Sequence, residues 1–273
     1  MLGFLRGEEV PMARRGNVVI NPSFCGEVWA WREGASWQGP FEGMWQAPGV
    51  GAMPLRALPA FEGVDVVADP KLWRWGKGLG VTFNTGWEAV ENRLYYAPLF
   101  PEAGAPVEVK LTGRRLVEQN WGFFEDGGRL HAFYGWDPGP IFLRETEEVG
   151  RFERMGPQGE GPNPMWRSIG TQPVPWEGRW YFMAHRRGRI WRKRWYVGEL
   201  WSFGRVPGGF GDLRREGGPW AHSPLGLLGL HPKRNPHLLS CTYFSGLERD
   251  PEGHWRVGYG LNDRSAHLAR LPI

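Results

Sequence analysis

The sequence predicts an all-β protein, and three observations lead to this prediction. The 273 residues include 41 glycines and 24 prolines, which divide the chain into short segments. The 17 tryptophans, with the other aromatic residues, favour strands over helices. No stretch of a dozen residues shows the apolar period of a helix, and residues 207–218 are interpreted as a loop.

A turn followed by an apolar strand recurs five times along the chain. The aligned strand positions are Val28, Leu79, Leu130, Trp180 and Trp255, at spacings of 51, 51, 50 and 75 residues. A repeat of about 50 residues made of short strands is typical of a four-stranded propeller blade. We therefore predict one five-bladed β-propeller domain over residues 1–273, with antiparallel blades and an insertion near residues 205–236. A large sandwich with regularly spaced hairpins is the alternative fold.

Small polar residues precede the repeated hairpins, on the strands predicted to be innermost in each blade. These residues are Asn21, Asp69, Asn120, Thr171 with Gln172, and Ser245. Because equivalent positions of the blades face one another across the axis, we expect these side chains to surround one polar pocket. Asp69 is the ionisable member of the set. Pro70 cannot donate to a sheet ladder, so this point suits a strand end or a bulge.

Cysteine content, charge and hydropathy exclude several classes of protein. Cys25 and Cys241 lack the spacing of a structural zinc site, and no disulfide framework is expected. A net charge of +4 favours anionic partners only mildly, so nucleic acid is not an expected partner. The N-terminus lacks an apolar signal segment and no run of 18 apolar residues occurs, so we expect a soluble cytoplasmic protein that does not contact a membrane. The arginine- and glutamate-rich composition is compatible with a thermophilic source, and nothing in the sequence requires a cofactor or a metal ion.

Four short motifs occur in a fixed order along the chain. They are Ala68-Asp69-Pro70-Lys71-Leu72, Gln119-Asn120-Trp121, Gly170-Thr171-Gln172-Pro173 with His185, and Ser245-Gly246-Leu247 through Tyr259-Gly260-Leu261-Asn262-Asp263. This set resembles the motifs of five-bladed propeller glycosidases, and most closely those of the family 130 glycoside phosphorylases. Ala68 and Lys71 stand where that family usually has Glu and Arg, so the first motif departs from the family pattern at two positions.

The resemblance implies a carbohydrate-active enzyme that cleaves or phosphorolyses a glycosidic bond of an oligosaccharide or glycoconjugate. It implies that Asp69 is the general acid. The predicted sugar-binding residues are Asn21, Asn120, Trp121, Thr171, Gln172, His185, Ser245 and Asp263. Among the tryptophans, Trp121, Trp136 and Trp166 are expected near the ligand because they flank the polar motifs.

The choice between hydrolysis and phosphorolysis depends on the number of carboxylates in the pocket. Hydrolysis of a glycoside needs an acid and a second carboxylate, and Asn21 and Asn120 cannot titrate. Such a mechanism requires Glu33, Glu118 or Asp263 to reach the pocket. A phosphorylase needs only a proton donor and a cationic site, because inorganic phosphate is the co-substrate and nucleophile. The predicted phosphate ligands are Arg167, Arg186 and Arg187, beside His185.

Two further alternatives stay open at this point. The basic run 186–195 contains two tryptophans and is interpreted as a solvated hairpin, although such a run also suits an anionic polymer. The chain as a whole also fits a sugar-binding or scaffold propeller without catalytic activity. In that case Asp69 would only organise its strand by accepting hydrogen bonds.

Overall fold

The computed structural model describes residues 2–5, 7–9, 28–33, 41–46, 53–54, 58–64, 67–76, 78–85, 91–100, 102–136, 139–156, 167–233, 236–250, 252–262 and 265–273. Within these ranges the chain is all-β, apart from a 3-10 turn at Pro59–Phe61 and a short helix α1 at Pro224–Leu227. Among the described residues, no helix combines the length and the apolar character needed to cross a lipid bilayer.

The strands follow one another in chain order. Their bounds are β1 Gly3–Phe4, β2 Glu8–Glu9, β3 Val28–Glu33, β4 Phe41–Gln46, β5 Met53–Pro54, β6 Ala68–Trp75, β7 Gly78–Asn84, β8 Leu94–Phe100, β9 Val107–Glu108, β10 Lys110–Leu111 and β11 Gly122–Asp126. The remaining strands are β12 Arg129–Gly135, β13 Ile141–Glu145, β14 Arg151–Arg154, β15 Arg167–Ile169, β16 Val174–Trp176, β17 Arg179–Ile190, β18 Lys193–Val206, β19 Gly209–Ala221, β20 Leu238–Arg249, β21 Trp255–Leu261 and β22 Ser265–Arg270.

Hydrogen bonding groups these strands into sheets that are mainly antiparallel meanders. Strands β3 to β5 form one sheet and β6 to β9 form the next. Strands β11 to β14 form a third, with β10 added in parallel to β14. In the largest sheet, β15 and β16 pair with β17, which continues through β18 to β19, and a second meander runs from β20 to β22. A short parallel pairing of β18 with β20 joins these two sections.

The five predicted strand segments are all strands in the structure. The aligned positions lie at the beginning of β3, β7, β12, β17 and β21. In four of these units the structure also describes the strand that precedes the aligned one, which is β6, β11, β16 or β20. The periodicity of the sequence therefore reflects a repeated hairpin.

The N-terminus adds two short strands to the largest sheet, which the sequence analysis does not predict. Strand β1 pairs in parallel with β19, and β2 pairs in antiparallel with β22. A Cβ atom at Gly3 would lie 2.6 Å from the Trp220 ring, and one at Gly7 would lie 2.2 Å from the Tyr259 hydroxyl. The first residues thus cross aromatic surfaces that admit only glycine at these points.

Neighbouring sheets pack on one another through aromatic side chains. Phe123 of β11 stacks on Trp73 of the preceding sheet at a centroid distance of 5.8 Å. The next residue, Phe124, packs on Trp180 of the following sheet at 5.3 Å. Because successive residues of a strand point to opposite faces, this sheet is covered on both sides. Sheets that pack one after another in chain order are characteristic of a propeller.

The predicted loop at residues 207–218 is wrong, because Gly209–Ala221 is strand β19. Its glycines and charged residues hide the apolar alternation that is typical of a strand. The strand is held by pairing with β18 along one side, while β1 pairs only with its last two residues. The extra length of the last repeat includes α1 and the segment that leads to β20. Part of the extra length lies in strands β17 and β18, which have 12 and 14 residues, whereas β7 and β12 have seven each.

Candidate active site

Asp69 lies at an irregular point near the beginning of strand β6. The register with β7 shifts between Ala68 and Lys71, and the backbone of Asp69 has a φ of +48°. Asn84 donates a hydrogen bond from Nδ2 to Asp69 Oδ2 at 3.4 Å. Burial raises the pKa of the Asp69 carboxyl, while the Lys71 ammonium and the Asn84 amide oppose this shift. Burial therefore favours the protonated carboxyl that a general acid needs.

Lys71 joins three of the sheet sections at one point. Its ammonium group donates to Asn120 Oδ1 at 2.7 Å and to the backbone oxygen of Ile169 at 3.3 Å. The Tyr243 hydroxyl donates to the same Asn120 oxygen at 3.2 Å, which adds strand β20 to the group. The Lys71 residue is 4% exposed, and burial lowers its pKa to about 8, against the effect of Asp69.

His185 completes what we call the polar cluster, which comprises Asp69, Lys71, Asn120, His185 and Tyr243. The backbone N–H of residue 244 donates to His185 Nε2 at 2.7 Å, and the imidazole ring lies 4.3 Å from the Tyr243 ring. A ring that accepts at Nε2 carries its proton on Nδ1 when neutral. This buried Nδ1 has no hydrogen-bond partner among the described residues. It can therefore donate to an oxygen atom of a ligand.

Burial and the Lys71 charge lower the pKa of His185 to about 3. The ring is thus uncharged near neutral pH and does not supply a positive charge for phosphate. In the unfolded chain the pKa of histidine is about 6.5. Between these two values the unfolded state binds a proton that the folded state excludes, so this residue lowers stability as the pH falls below about 6.5.

We expect the free energy of unfolding of a His185→Gln variant to fall less steeply with acid than that of the wild type. The difference between the two should grow by roughly 1.4 kcal/mol per pH unit below about pH 6. Glutamine keeps an acceptor oxygen for the N–H of Phe244 but cannot titrate. Urea unfolding at pH 7, 6, 5 and 4 measures this difference, and His254→Gln at a half-exposed position is the control. Parallel curves for wild type and His185→Gln would contradict the assignment.

Glu199 is a fully buried carboxylate that gathers three arginines. Arg167 donates from Nε to Glu199 Oε2 at 2.7 Å. The guanidinium groups of Arg186 and Arg215 lie 3.8 and 3.6 Å from Oε1. Three guanidinium groups are therefore concentrated around one buried carboxylate. Such a concentration of guanidinium groups suits an anion.

The basic run 186–195 forms a hairpin, as predicted, with its turn at Trp191 and Arg192. Adjacent residues of a strand point to opposite faces, so Arg186 and Arg187 separate. Arg186 lies on the Glu199 side, whereas Arg187 hydrogen bonds to Tyr196. The structure therefore brings Arg167 and Arg186 together and places Arg187 on the other face of the hairpin.

A small cavity of about 100 Å³ adjoins the polar cluster at Asn120. Arg167 lines it on the side of the Glu199 group, and Arg115 and Tyr134 line it on the side of the third sheet. The Arg115 guanidinium lies 5.8 Å from the Tyr134 ring centroid. Two guanidinium groups therefore border a cavity that contacts the amide of Asn120.

Thr171 and Gln172 are buried and hold neighbouring strands together. Thr171 Oγ1 accepts the backbone N–H of Met183 at 2.9 Å. Gln172 donates to Thr82 Oγ1 at 2.8 Å and accepts the backbone N–H of Phe123, so its amide links three sheet sections. These contacts give both residues a structural role, and their predicted contact with sugar remains a prediction.

Ser245, Trp121 and Trp136 are also buried. Ser245 lies at a shift in the pairing of β20 with β21, and its hydroxyl donates to the backbone oxygen of Gly258 at 3.4 Å. Trp121 and Trp136 are 3% and 6% exposed and belong to aromatic clusters between sheets. Trp136 also lines the small cavity.

Glu118 does not act as a second free carboxylate. It accepts hydrogen bonds from the backbone N–H of Arg115, from Trp121 Nε1 and from the Tyr134 hydroxyl, at 2.6, 3.0 and 2.8 Å. Three donors on one buried carboxylate indicate a structural role. Asn21, Asp263, Trp166 and the side chain of Glu33 lie outside the described residues, so their predicted roles remain predictions.

One group of potential metal ligands occurs in the part of the chain that the structure describes. Asp250, Glu252 and His254 place ligand atoms within 4.8 Å of one another at the turn between β20 and β21. Arg270 pairs with both carboxylates, at 3.4 and 2.8 Å. These ion pairs account for the cluster without a metal ion.

Three residues of the site were not predicted from the sequence as site residues. For Lys71, the sequence offered one signal of a role in the site, namely its departure from the family motif. Tyr243 and Glu199 gave no signal, because nothing in the sequence distinguishes them from the other polar residues of strands β20 and β18. Their roles depend on contacts with residues 32 to 123 positions away.

Comparison with known proteins gives a likeness of structure without a likeness of sequence. No family model matches the chain, and no curated protein sequence matches it. A mannose phosphorylase from Leishmania mexicana in complex with phosphate ion has a TM-score of 0.61 and 13% identity, over 99% of this chain and 86% of that chain. A GDP-Man-dependent mannosyltransferase from the same organism has a TM-score of 0.58 and 10% identity, over 94% of this chain and 83% of that one.

A GH43 protein from Bacillus licheniformis is similar over 97% of this chain and 54% of its own, with a TM-score of 0.55 and 11% identity. The chain has the propeller-like fold of these carbohydrate-active enzymes. The resemblance predicted from four short motifs is thereby confirmed as a likeness of fold. The sequence identity to these proteins is only 10–13%.

Proposed function

We propose that the protein cleaves a glycosidic bond, with Asp69 as the general acid. The observation that carries this proposal is the position of Asp69, whose carboxyl has its pKa raised by burial beside the Lys71 ammonium. The sheets are taken to be the blades of a single five-bladed propeller over residues 1–273. In that arrangement the polar cluster lies on the axis, where the first residues of the inner strands converge.

In the proposed reaction the bond between the anomeric carbon and the leaving oxygen breaks. Its electron pair moves to the leaving oxygen, which takes the proton of Asp69. An oxygen of inorganic phosphate forms the new bond to the anomeric carbon and yields a sugar 1-phosphate. Asp69 is left as a carboxylate, which the Lys71 ammonium stabilises, and it recovers a proton from water.

The small cavity between Arg115 and Arg167 is the proposed phosphate site. Its guanidinium groups supply the geometry that phosphate oxygens prefer, and Glu199 holds Arg167 in place at 2.7 Å. A structural neighbour described as a mannose phosphorylase in complex with phosphate ion supports this choice. Mannosides are accordingly the first oligosaccharides to assay. If water takes the place of phosphate as the nucleophile, the same bond is hydrolysed.

We expect phosphate to bind wild type and to bind an Arg115→Met variant about tenfold to a hundredfold more weakly. This range corresponds to the loss of one charge-assisted hydrogen bond. Arg115 is exposed, so its substitution should not unfold the protein, and the exposed Arg129→Met is the matched control. Calorimetric titration with phosphate, with and without mannobiose, measures the effect. Absence of phosphate binding under both conditions would contradict the phosphorylase proposal.

A sugar-binding propeller without catalysis is the second candidate. The observation that favours it is the lack of a second catalytic carboxylate among the described residues near the polar cluster. Glu118 and Glu199 are both engaged by structural partners. In that case mannosides or other oligosaccharides bind, and no reducing sugar or sugar phosphate is released. An assay of both products on the same oligosaccharide panel separates the two candidates.

A further inference from the structure

A second and larger cavity, of about 350 Å³, lies at the other ends of the inner strands. Arg74 of β6, Glu125 of β11, Trp176 of β16 and Arg249 of β20 all line it. A strand advances roughly 3.3 Å per residue, so Arg74 lies roughly 16 Å beyond Asp69 along β6. This cavity is therefore separate from the polar cluster, although strands β6, β17 and β20 contribute to both.

Two largely buried tryptophans form part of the wall of the second cavity. Trp73 and Trp180 line it and are 3% and 7% exposed. The indole N–H of each is buried and has no acceptor among the described residues. Both rings belong to core clusters, so they contribute apolar surface to the cavity, and their indole nitrogens stay inside the packing between sheets.

The charged groups of this cavity are mixed in sign. Arg74 and Arg249 line it together with Glu125 and Glu248, and Arg256 lies 3.3 Å from Glu248. The Arg249 guanidinium stacks on the Trp176 ring at 3.9 Å. Nothing in this arrangement selects for a strongly charged ligand. It offers donors and acceptors around flat aromatic surfaces.

A ligand for these walls must accept hydrogen bonds from guanidinium groups, donate to carboxylates and place an apolar face on a ring. A sugar ring has hydroxyl groups on its edge and C–H groups on its faces, and meets all three conditions. The cavity volume lies at the lower end of the range for small-molecule sites. We propose that the second cavity is a binding site for a neutral mono- or disaccharide, distinct from the site of bond cleavage. Burial raises the pKa of Glu248 to about 7, so that near neutral pH its carboxyl can both donate and accept.

The test uses the intact protein and four probes, namely mannose, xylose, glucose and mannobiose. Binding is followed by calorimetry and by saturation-transfer NMR. We expect at least one probe to bind, and its affinity to fall about tenfold or more in Trp176→Ala and in Glu248→Gln. Trp176 is 37% exposed, so its removal should not prevent folding. Trp191→Ala, at a tryptophan that is 92% exposed on the β17–β18 turn, is the matched control and should bind as wild type does.

A Lys71→Met variant separates this site from the polar cluster. This variant should lose turnover but should keep the sugar binding that the Trp176→Ala substitution weakens. Absence of binding by all four probes would overturn the proposal. Binding that Trp176→Ala and Glu248→Gln leave unchanged would also overturn it, whatever the result of the activity assays.

Discussion

An Asp69→Asn variant should lose catalytic turnover by about a hundredfold to ten-thousandfold, which is the usual cost of losing a general acid. Sugar binding should stay within about tenfold of wild type, because asparagine has the same size and keeps an acceptor oxygen. The backbone at this position has a φ of +48°, and asparagine tolerates this conformation as aspartate does. The substitution therefore removes the proton without straining the strand. Rates of sugar or sugar phosphate release and calorimetric sugar binding measure the two effects.

Asp212→Asn is the matched control, because Asp212 has a nearly identical φ of +49° on the surface hairpin of β18 and β19. It should leave turnover unchanged. If Asp69 had only a structural role, its variant would instead melt a few degrees lower, through an unmet buried hydrogen bond of roughly 1–3 kcal/mol. A stable Asp69→Asn protein with full activity would remove Asp69 from the mechanism.

A Lys71→Met variant should lose phosphate-dependent turnover by about tenfold to a hundredfold, the value of one hydrogen bond between charged groups. Methionine fills a similar volume without a buried charge, so the folded state should persist. The Lys71 ammonium lowers the pKa of Asp69. Its removal should raise that pKa further and keep Asp69 protonated to higher pH. The alkaline limb of the pH profile of kcat/KM should therefore move to higher pH.

The exposed Lys110→Met on strand β10 is the control for this experiment. It should change neither the rate nor the pH profile. If the alkaline limb stays in place in Lys71→Met, the two groups are not coupled in the active protein. The proposed stabilisation of the Asp69 carboxylate by Lys71 would then be wrong.

The repeat was visible in the sequence because turns and alternating strands are local features. Glycine turns set the hairpins, and the spacing of 51, 51 and 50 residues marked equivalent positions without knowledge of any contact. Strand β19 was missed for the same reason. Its glycines and charges resemble a loop, and its pairing with β18 and β1 is not local.

The amino-acid sequence by itself determined the all-β class, the repeated hairpins and the position of Asp69 and Asn120, at the beginning of strand β6 and just before strand β11. The sequence predicts Arg186 and Arg187 together as phosphate ligands, whereas the structure places them on opposite faces of strand β17. Only the tertiary structure decided that Lys71 reaches Asn120 and Ile169, 49 and 98 residues away. It likewise decided that Glu199 gathers the arginines of one face and that burial keeps His185 neutral. Charge, desolvation and hydrogen bonding at this centre depend on which strands meet there, and that depends on how whole sheets pack.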